Sequence, residues 1–158
     1  MRVLVIVESC FGNTAAVAEA VLAGLREAGA QADLVQAADA PSTPEADLVV
    51  VAAPTHNMGL PSPSSRAQAA KGGGCPAASG VREWFESSRP AGAARLVAVD
   101  TCVESRFAGS AAAKAQRLAR RRGWRAERGP GFIVTGTPGP LRDGELDRAR
   151  EFGRSLAR

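Results

Sequence analysis

The chain has 158 residues, and 45% of them are hydrophobic, which suits one domain over residues 1–158 that needs no disulfide or metal staple. Its net charge of +4 comes almost wholly from arginine, but the arginines are spread and aromatic residues are few, which argues against a nucleic-acid surface. The three cysteines, Cys10, Cys75 and Cys102, show no C-x-x-C spacing, and His56 is the only histidine, so a structural zinc site is excluded.

The apolar runs are too short for a membrane helix, which needs about 20 residues. The first of them follows Met1 directly, without the basic segment of an export signal. We therefore expect no membrane partner and a cytoplasmic, reducing location.

Short apolar runs and helical periodicity alternate along the chain. Strands are expected at residues 3–7, 32–36, 47–53, 95–100 and 131–135. The first helix carries apolar residues at every fourth position from Val17 and stops at Gly29. Further helices are expected at residues 81–87 and 110–122, and Asp143 is expected to cap the last one.

Strands that are apolar on both faces and alternate with helices predict a parallel sheet covered on both sides. The fold class is therefore α/β, a three-layer, doubly wound, five-stranded sheet. Residues 60–80 interrupt the alternation, since they are rich in proline and glycine and lack an apolar period. We expect a long mobile loop there.

In such a sheet a ligand binds beyond the carboxyl ends of the strands. The loop Ser9-Cys10-Phe11-Gly12-Asn13-Thr14 follows the first strand and opens a helix, so its amides and hydroxyl groups form a candidate phosphate cradle. It contains no lysine, which excludes the nucleotide-hydrolysing G-x-x-x-x-G-K-[ST] loop. The simpler alternative, that these residues only turn the chain and cap the helix, stays open.

Two further loops follow strands three and four, and together the three loops resemble those of the flavodoxin family. Flavodoxins hold the phosphate of FMN in a hydroxyl-rich loop and clamp the flavin ring with two later loops. Ser9, Gly12, Asn13 and Thr14 match the phosphate loop, Pro54, Thr55 and Gly59 resemble the second loop, and Asp100 with Thr101 begins the third. The resemblance implies strand order 2-1-3-4-5 and FMN as the cofactor.

The chain departs from the family pattern at Cys10 and Phe11, where flavodoxins commonly carry hydroxyl groups, and it contains no tyrosine to stack on the flavin. Met58 and Phe107 are the candidate ring contacts, with a loop plug and a core residue as alternatives. The cofactor-binding residues expected on the resemblance are Ser9, Cys10, Phe11, Gly12, Asn13, Thr14, Pro54, Thr55, His56, Asn57, Met58, Gly59, Asp100, Thr101, Cys102 and Phe107.

Several of these residues allow a second interpretation. His56 either donates to the flavin or is a solvated loop histidine. Asp100 is expected to fix its loop rather than act as a base. A disulfide between Cys10 and Cys102 is disfavoured, because two strands separated by a third lie about 9 to 10 Å apart. A reactive thiol at Cys10 remains an alternative, since a helix N-terminus lowers a thiol pKa.

Three functions follow from this pattern. The resemblance implies an FMN-binding electron carrier, and the alternatives are an FMN-dependent NAD(P)H:quinone-type oxidoreductase and a domain that has lost flavin. For the oxidoreductase, Arg66 and Lys71 are the candidate contacts to a ribose phosphate. A phosphoacceptor receiver is excluded, because the acidic pair, the aspartate and the lysine that it needs are missing.

The positive charge predicts an acidic redox partner, an association that slows as salt rises, and a less negative flavin potential than in acidic flavodoxins. The oligomeric state stays open.

Overall fold

The computed structural model describes residues 1–158, and its centre is a parallel sheet of five strands. The strands are β1 (Arg2–Val7), β2 (Gln31–Gln36), β3 (Leu48–Pro54), β4 (Arg95–Val103) and β5 (Arg125–Val134). They pair in the order β2-β1-β3-β4-β5, and all pairs are parallel. This confirms the predicted fold class and strand order. Strand β5 begins six residues earlier than the predicted 131, because its first residues pair with β4 from Arg95 onward.

Five helices cover the sheet. They are α1 (Asn13–Glu27), α2 (Pro63–Lys71), α3 (Val81–Ser87), α4 (Ala111–Arg121) and α5 (Glu145–Leu156), and a short 3-10 turn, Ala37–Asp39, stands between β2 and β3. One face of the sheet packs apolar residues against α1 and α5, and the other packs against α3 and α4. The sheet is therefore buried on both faces, which explains why its three central strands, β1, β3 and β4, are apolar without alternation.

Helices α1 and α5 approach each other closely because glycine stands at two contact positions. A Cβ atom built on Gly24 would lie 1.9 Å from the Arg150 carbonyl oxygen, and one on Gly153 would lie 2.2 Å from the Val21 oxygen. These two positions exclude any side chain. The predicted cap at Asp143 is wrong, since Gly144, with φ 85°, precedes the helix and lets it begin at Glu145. The Glu145 carboxylate turns inward instead and accepts a hydrogen bond from the Ile133 amide.

The long mobile loop predicted at residues 60–80 is wrong, because the segment contains helix α2. Ser62 caps α2 by accepting a hydrogen bond from the Ser65 amide, and Pro63 occupies the first helical position. The helix lacks an apolar stripe because its buried face is largely polar: the residues it buries are Ser65, Arg66 and Ala69. Apolar periodicity alone cannot detect such a helix.

Arg66 fixes α2 to the rest of the protein through a buried ion triad. Its Nε lies 2.6 Å from Glu8 Oε1, and its Nη2 lies 2.5 Å from Glu83 Oε1. The side chains of Arg66 and Glu8 are only 4% and 3% exposed. Both carboxylates also accept hydrogen bonds from the first turn of α3, Glu8 from the Val81 amide and Glu83 from the Gly80 amide. The triad therefore joins the end of β1 to α2 and α3.

None of the helices combines the length and apolar character that crossing a bilayer requires.

The triad predicts a specific effect on stability. Substituting Arg66→Met leaves the buried Glu8 carboxylate without a charged partner, so we expect the free energy of unfolding in urea to fall by about 3–5 kcal/mol. The control is Arg95→Met, because Arg95 and Glu127 form an exposed pair at 4.0 Å whose loss costs about 0–1 kcal/mol. Equal losses in the two variants would contradict the role assigned to the triad.

Candidate functional site

A cavity of about 530 Å³ opens at the carboxyl end of the sheet, where the loops after β1, β3, β4 and β5 meet. Eleven of the residues expected at the site line it: Cys10, Phe11, Asn13, Thr14, Pro54, Thr55, His56, Asn57, Met58, Thr101 and Cys102. Five do not: Ser9, Gly12, Gly59, Asp100 and Phe107. The first four of these five shape the loops rather than the wall.

The loop after β1 leads into α1 through Gly12, whose φ of 93° is the left-handed conformation that glycine favours. Ser9 Oγ accepts a hydrogen bond from the Gly12 amide at 3.1 Å. The amides of Phe11, Asn13 and Thr14 donate to no acceptor within the protein. Because the first amides of a helix point out of its N-terminus, these donors remain for a ligand, where the helix dipole favours negative charge.

The side chains of this loop are already engaged within the protein. Asn13 Nδ2 donates to the Pro138 carbonyl oxygen at 2.7 Å. Thr14 Oγ1 and Thr101 Oγ1 share a buried hydrogen bond of 2.8 Å. These contacts join the loop after β1 to the loop after β5 and to β4. Main-chain amides are therefore the available anion donors here.

The loop after β3 is a tight hairpin. His56 and Gly59 exchange two backbone hydrogen bonds, of 2.8 and 2.9 Å. The two residues between them, Asn57 and Met58, both have positive φ angles, 47° and 69°, as a type I′ turn requires. The Met58 side chain reaches the cavity edge but stays 67% exposed. The hairpin thus forms the outer rim of the cavity.

The loop after β4 is anchored by Asp100, which is buried. Its Oδ2 accepts hydrogen bonds from Ser110 Oγ at 2.6 Å and from the Ala112 amide at 2.9 Å. This carboxylate therefore fixes the loop against α4, in agreement with the interpretation that it holds the loop rather than acts as a base. Gly109 then packs against Met58, where any Cβ atom would lie 2.4 Å from the Met58 backbone.

Phe107 lies on the protein surface, in the loop after β4. Its side chain is 77% exposed, so the alternative that it is a core residue is wrong. It lies outside the cavity wall, and contact with a flavin ring stays a prediction for this residue.

His56 is half-buried rather than solvated. Its Nδ1 lies 3.0 Å from Ser65 Oγ of α2, and its Nε2 has no partner within the protein. Burial, together with the positive charge of Arg66, lowers the pKa of His56 below its ordinary value of 6.5. The ring is therefore neutral at pH 7 and lies in the cavity wall.

Two other sequence interpretations are corrected by the environment of the side chains. Burial and the charge of Glu8 raise the pKa of the Cys10 thiol, so the helix N-terminus does not activate it. Burial and the neighbouring Asp100 raise the pKa of Cys102 to about 11. All three cysteines are free.

Arg66 is enclosed in its ion triad and cannot meet a ribose phosphate.

Sequence reasoning missed two parts of the wall. One is α2, and the other is the loop that follows β5. The missed residues of these two parts are Ser65, Gln68, Ala69, Gly72, Val134, Gly136, Thr137 and Pro138. Val103 and Ala108, at the end of β4 and in the loop after it, were missed as well. The rule that ligands bind beyond strand ends would have found the β5 loop, and Ser62 followed by Pro63 is a helix-start signal that indicates α2.

Comparison with known proteins gives a consistent result. Residues 5–75 match the family model described as Flavodoxin. No curated protein matches the chain.

Solved structures of similar fold cover nearly the whole chain. A flavodoxin from the domain Archaea has a TM-score of 0.70 at 19% identity, over 99% of this chain and 96% of that one. The flavodiiron protein of Giardia intestinalis has a TM-score of 0.63 at 20% identity, over 99% of this chain and 35% of that one. A flavone reductase has a TM-score of 0.60 at 15% identity, over 99% of this chain and 62% of that one. Together with the match over residues 5–75, they show that the chain has a flavodoxin-like fold.

The environment of His56 predicts its titration. As the chain has one histidine, the Hε1 resonance of its imidazole in ¹H NMR reports on it alone, and the midpoint of its titration should lie below pH 6.5. Because protonation is then easier in the unfolded chain, stability should fall as the pH drops below 6.5. Ser65→Ala should keep the low midpoint, since burial and Arg66 remain, whereas Arg66→Met should raise it. A wild-type midpoint at or above 6.5 would contradict this account of the site.

Proposed function

We propose that this chain, which is flavodoxin-like in its matched segment and in its fold, binds FMN and carries electrons. The observation that supports the proposal most directly is the cavity at the strand ends, whose wall includes the free amides at the start of α1. A cytoplasmic, reducing location is part of the proposal, in keeping with three free cysteines.

The residues present fit FMN. The amides of Phe11, Asn13 and Thr14 would hold the phosphate, and because main-chain donors do not depend on side-chain identity, Cys10 and Phe11 do not remove them. The volume, about 530 Å³, lies within the usual range of small-molecule sites, about 300–1,000 Å³. The apolar side chains available to contact the flavin ring are those of Met58, Val103, Ala108 and Val134.

When bound, FMN supplies the electron transfer itself, so the protein needs to bind, orient and shield it. Thr55 and Asp100 do this indirectly, since Thr55 Oγ1 accepts a hydrogen bond from the Ala111 amide and Asp100 accepts one from the Ala112 amide. Both side chains hold α4 against the loops. His56 offers a neutral hydrogen-bonding group, Nε2, in the wall. We assign no proton-transfer step to any residue of the chain.

The proposal predicts selective binding of the phosphorylated flavin. Fluorescence titration should show riboflavin binding about tenfold or more weakly than FMN, because hydrogen bonds to a charged group contribute about 1.5–3 kcal/mol. A chain that binds neither flavin would exclude the function and leave a domain that has lost flavin. Equal affinity for both would contradict the role given to the α1 amides.

A second variant tests the cavity itself. A Cβ atom at Gly136 meets nothing within 4 Å, and the residue has no positive φ, so Gly136→Phe should fill the cavity without strain. We expect FMN affinity to fall about tenfold or more while the melting temperature changes little. The matched control is Ala77→Phe, at an exposed residue outside the cavity, which should leave FMN binding unchanged.

One observation supports a second candidate function, a reductase that takes hydride from NAD(P)H and passes it to a quinone-like acceptor. The fold neighbours include a flavone reductase. Anaerobic addition of NAD(P)H to the FMN-loaded chain distinguishes the two. A carrier should keep its yellow colour until a reducing partner is added, whereas the reductase should bleach without one.

A further inference from the structure

The exposed apolar side chains of the protein concentrate on the two loops that form the cavity mouth. Five large hydrophobic residues are exposed, and three of them, Met58, Val103 and Phe107, lie on these loops. Scattered exposed apolar residues are normal, but a cluster beside a cavity indicates a surface that meets another molecule. Methionine and aromatic side chains are also enriched in protein interfaces.

Two arginines flank these apolar residues without any partner of their own. Arg106 and Arg128 line a groove on the far side of the loop after β4, and this groove shares Cys102 and Val103 with the cavity wall. Neither guanidinium group lies within 4.0 Å of a carboxylate or makes a hydrogen bond.

The one acidic residue in the groove does not cancel this charge. Glu104 is paired with Arg142 at 3.4 Å. Arg142 also contacts Glu145, whose second partner is Arg148, so these two carboxylates and two guanidinium groups balance one another. On the other side of the mouth, the side chain of Lys114 passes beside Gly59 and has no acidic partner either. The surface around the apolar cluster is therefore positively charged.

We propose that the mouth surface, defined as Met58, Val103, Arg106, Phe107 and Arg128, docks an acidic redox partner protein. Guanidinium groups bind carboxylates in a bidentate geometry, and Phe107 supplies an exposed apolar anchor next to Arg106 in the chain. Because Val103 lines both the groove and the cavity, a protein seated here would lie against the wall of the flavin site. The inference rests on the proposed function for its redox part, but the docking can be measured without a flavin.

The mouth surface fits an acidic protein better than it fits other anionic partners. A nucleic acid would need several aromatic stacking platforms along a basic groove, and this surface has one aromatic residue. A membrane surface would need a larger apolar face or a run of cations. A protein with an acidic rim and an apolar centre matches both features of the mouth surface.

The test uses two forms of one redox protein. Native cytochrome c is basic, and fully succinylated cytochrome c is acidic, so the pair differs in surface charge while the haem is the same. In ¹⁵N NMR titrations of the chain as purified, the succinylated form should shift the amides of residues 103–109 and 128, and added salt should reverse the shifts. Larger effects from the native form, or shifts spread evenly over the surface, would overturn the proposal.

A charge-matched pair of variants separates the surface from the net charge. Arg106→Glu with Arg128→Glu should weaken binding of the succinylated form by about tenfold. The control is Arg121→Glu with Arg125→Glu, which makes the same change in charge at two unpaired, exposed arginines where α4 ends and β5 begins. Equal weakening by the two double variants would overturn the docking site and leave only general attraction.

A third variant and a lipid vesicle complete the test. Phe107→Ser should weaken binding of the succinylated form even where salt has removed most of the charge effect. Binding to phosphatidylserine vesicles through Arg106 and Arg128, with no binding of succinylated cytochrome c, would overturn the assignment to a protein partner. FMN affinity is measured separately, so failure of the docking surface and failure of the flavin site give different results.

Discussion

The cavity depends on one buried guanidinium group. Arg66 bridges two carboxylates, and through them it holds α2 against the end of β1 and the start of α3. Helix α2 in turn supplies one wall of the cavity and the Ser65 hydroxyl that contacts His56. Burying an ion pair costs desolvation free energy, and removing one partner is strongly destabilising because the other charge stays buried without compensation. A polar helix without an apolar stripe can therefore have a defined position.

The loops around the cavity are held mainly by their own polar side chains. Thr14, Thr55 and Asp100, which the flavodoxin resemblance assigned to the ligand, each bond to β4 or to α4. The donors left for an anion are main-chain amides at the start of α1. Such a site accepts replacement of hydroxyl groups by Cys10 and Phe11, because amide donors are present whatever the side chain is. The departure from the family pattern therefore leaves the main-chain donors in place.

The positions that the sequence predicted well are those decided by local pattern. The parallel, doubly wound sheet followed from apolar runs with helical crossovers, and Ser110 caps α4 as its position indicated. The strand order came from the flavodoxin resemblance and not from the pattern itself. Helix α2 was not predicted because its inward face contains Arg66, whose partners lie 58 and 17 residues away along the chain. The exposure of Phe107 was not predicted either, because it depends on how its loop packs against the rest of the fold. In both cases long-range contacts overrode the local pattern.

The amino-acid sequence by itself determined the layered sheet and the edge at which a ligand would bind, because apolar periodicity and the direction of parallel strands are properties of short segments. Only the tertiary structure decided which side chains form the wall, that His56 is neutral, and that Phe107 points outward. These properties depend on burial and on charges brought together from distant parts of the chain, and a linear pattern does not contain those distances.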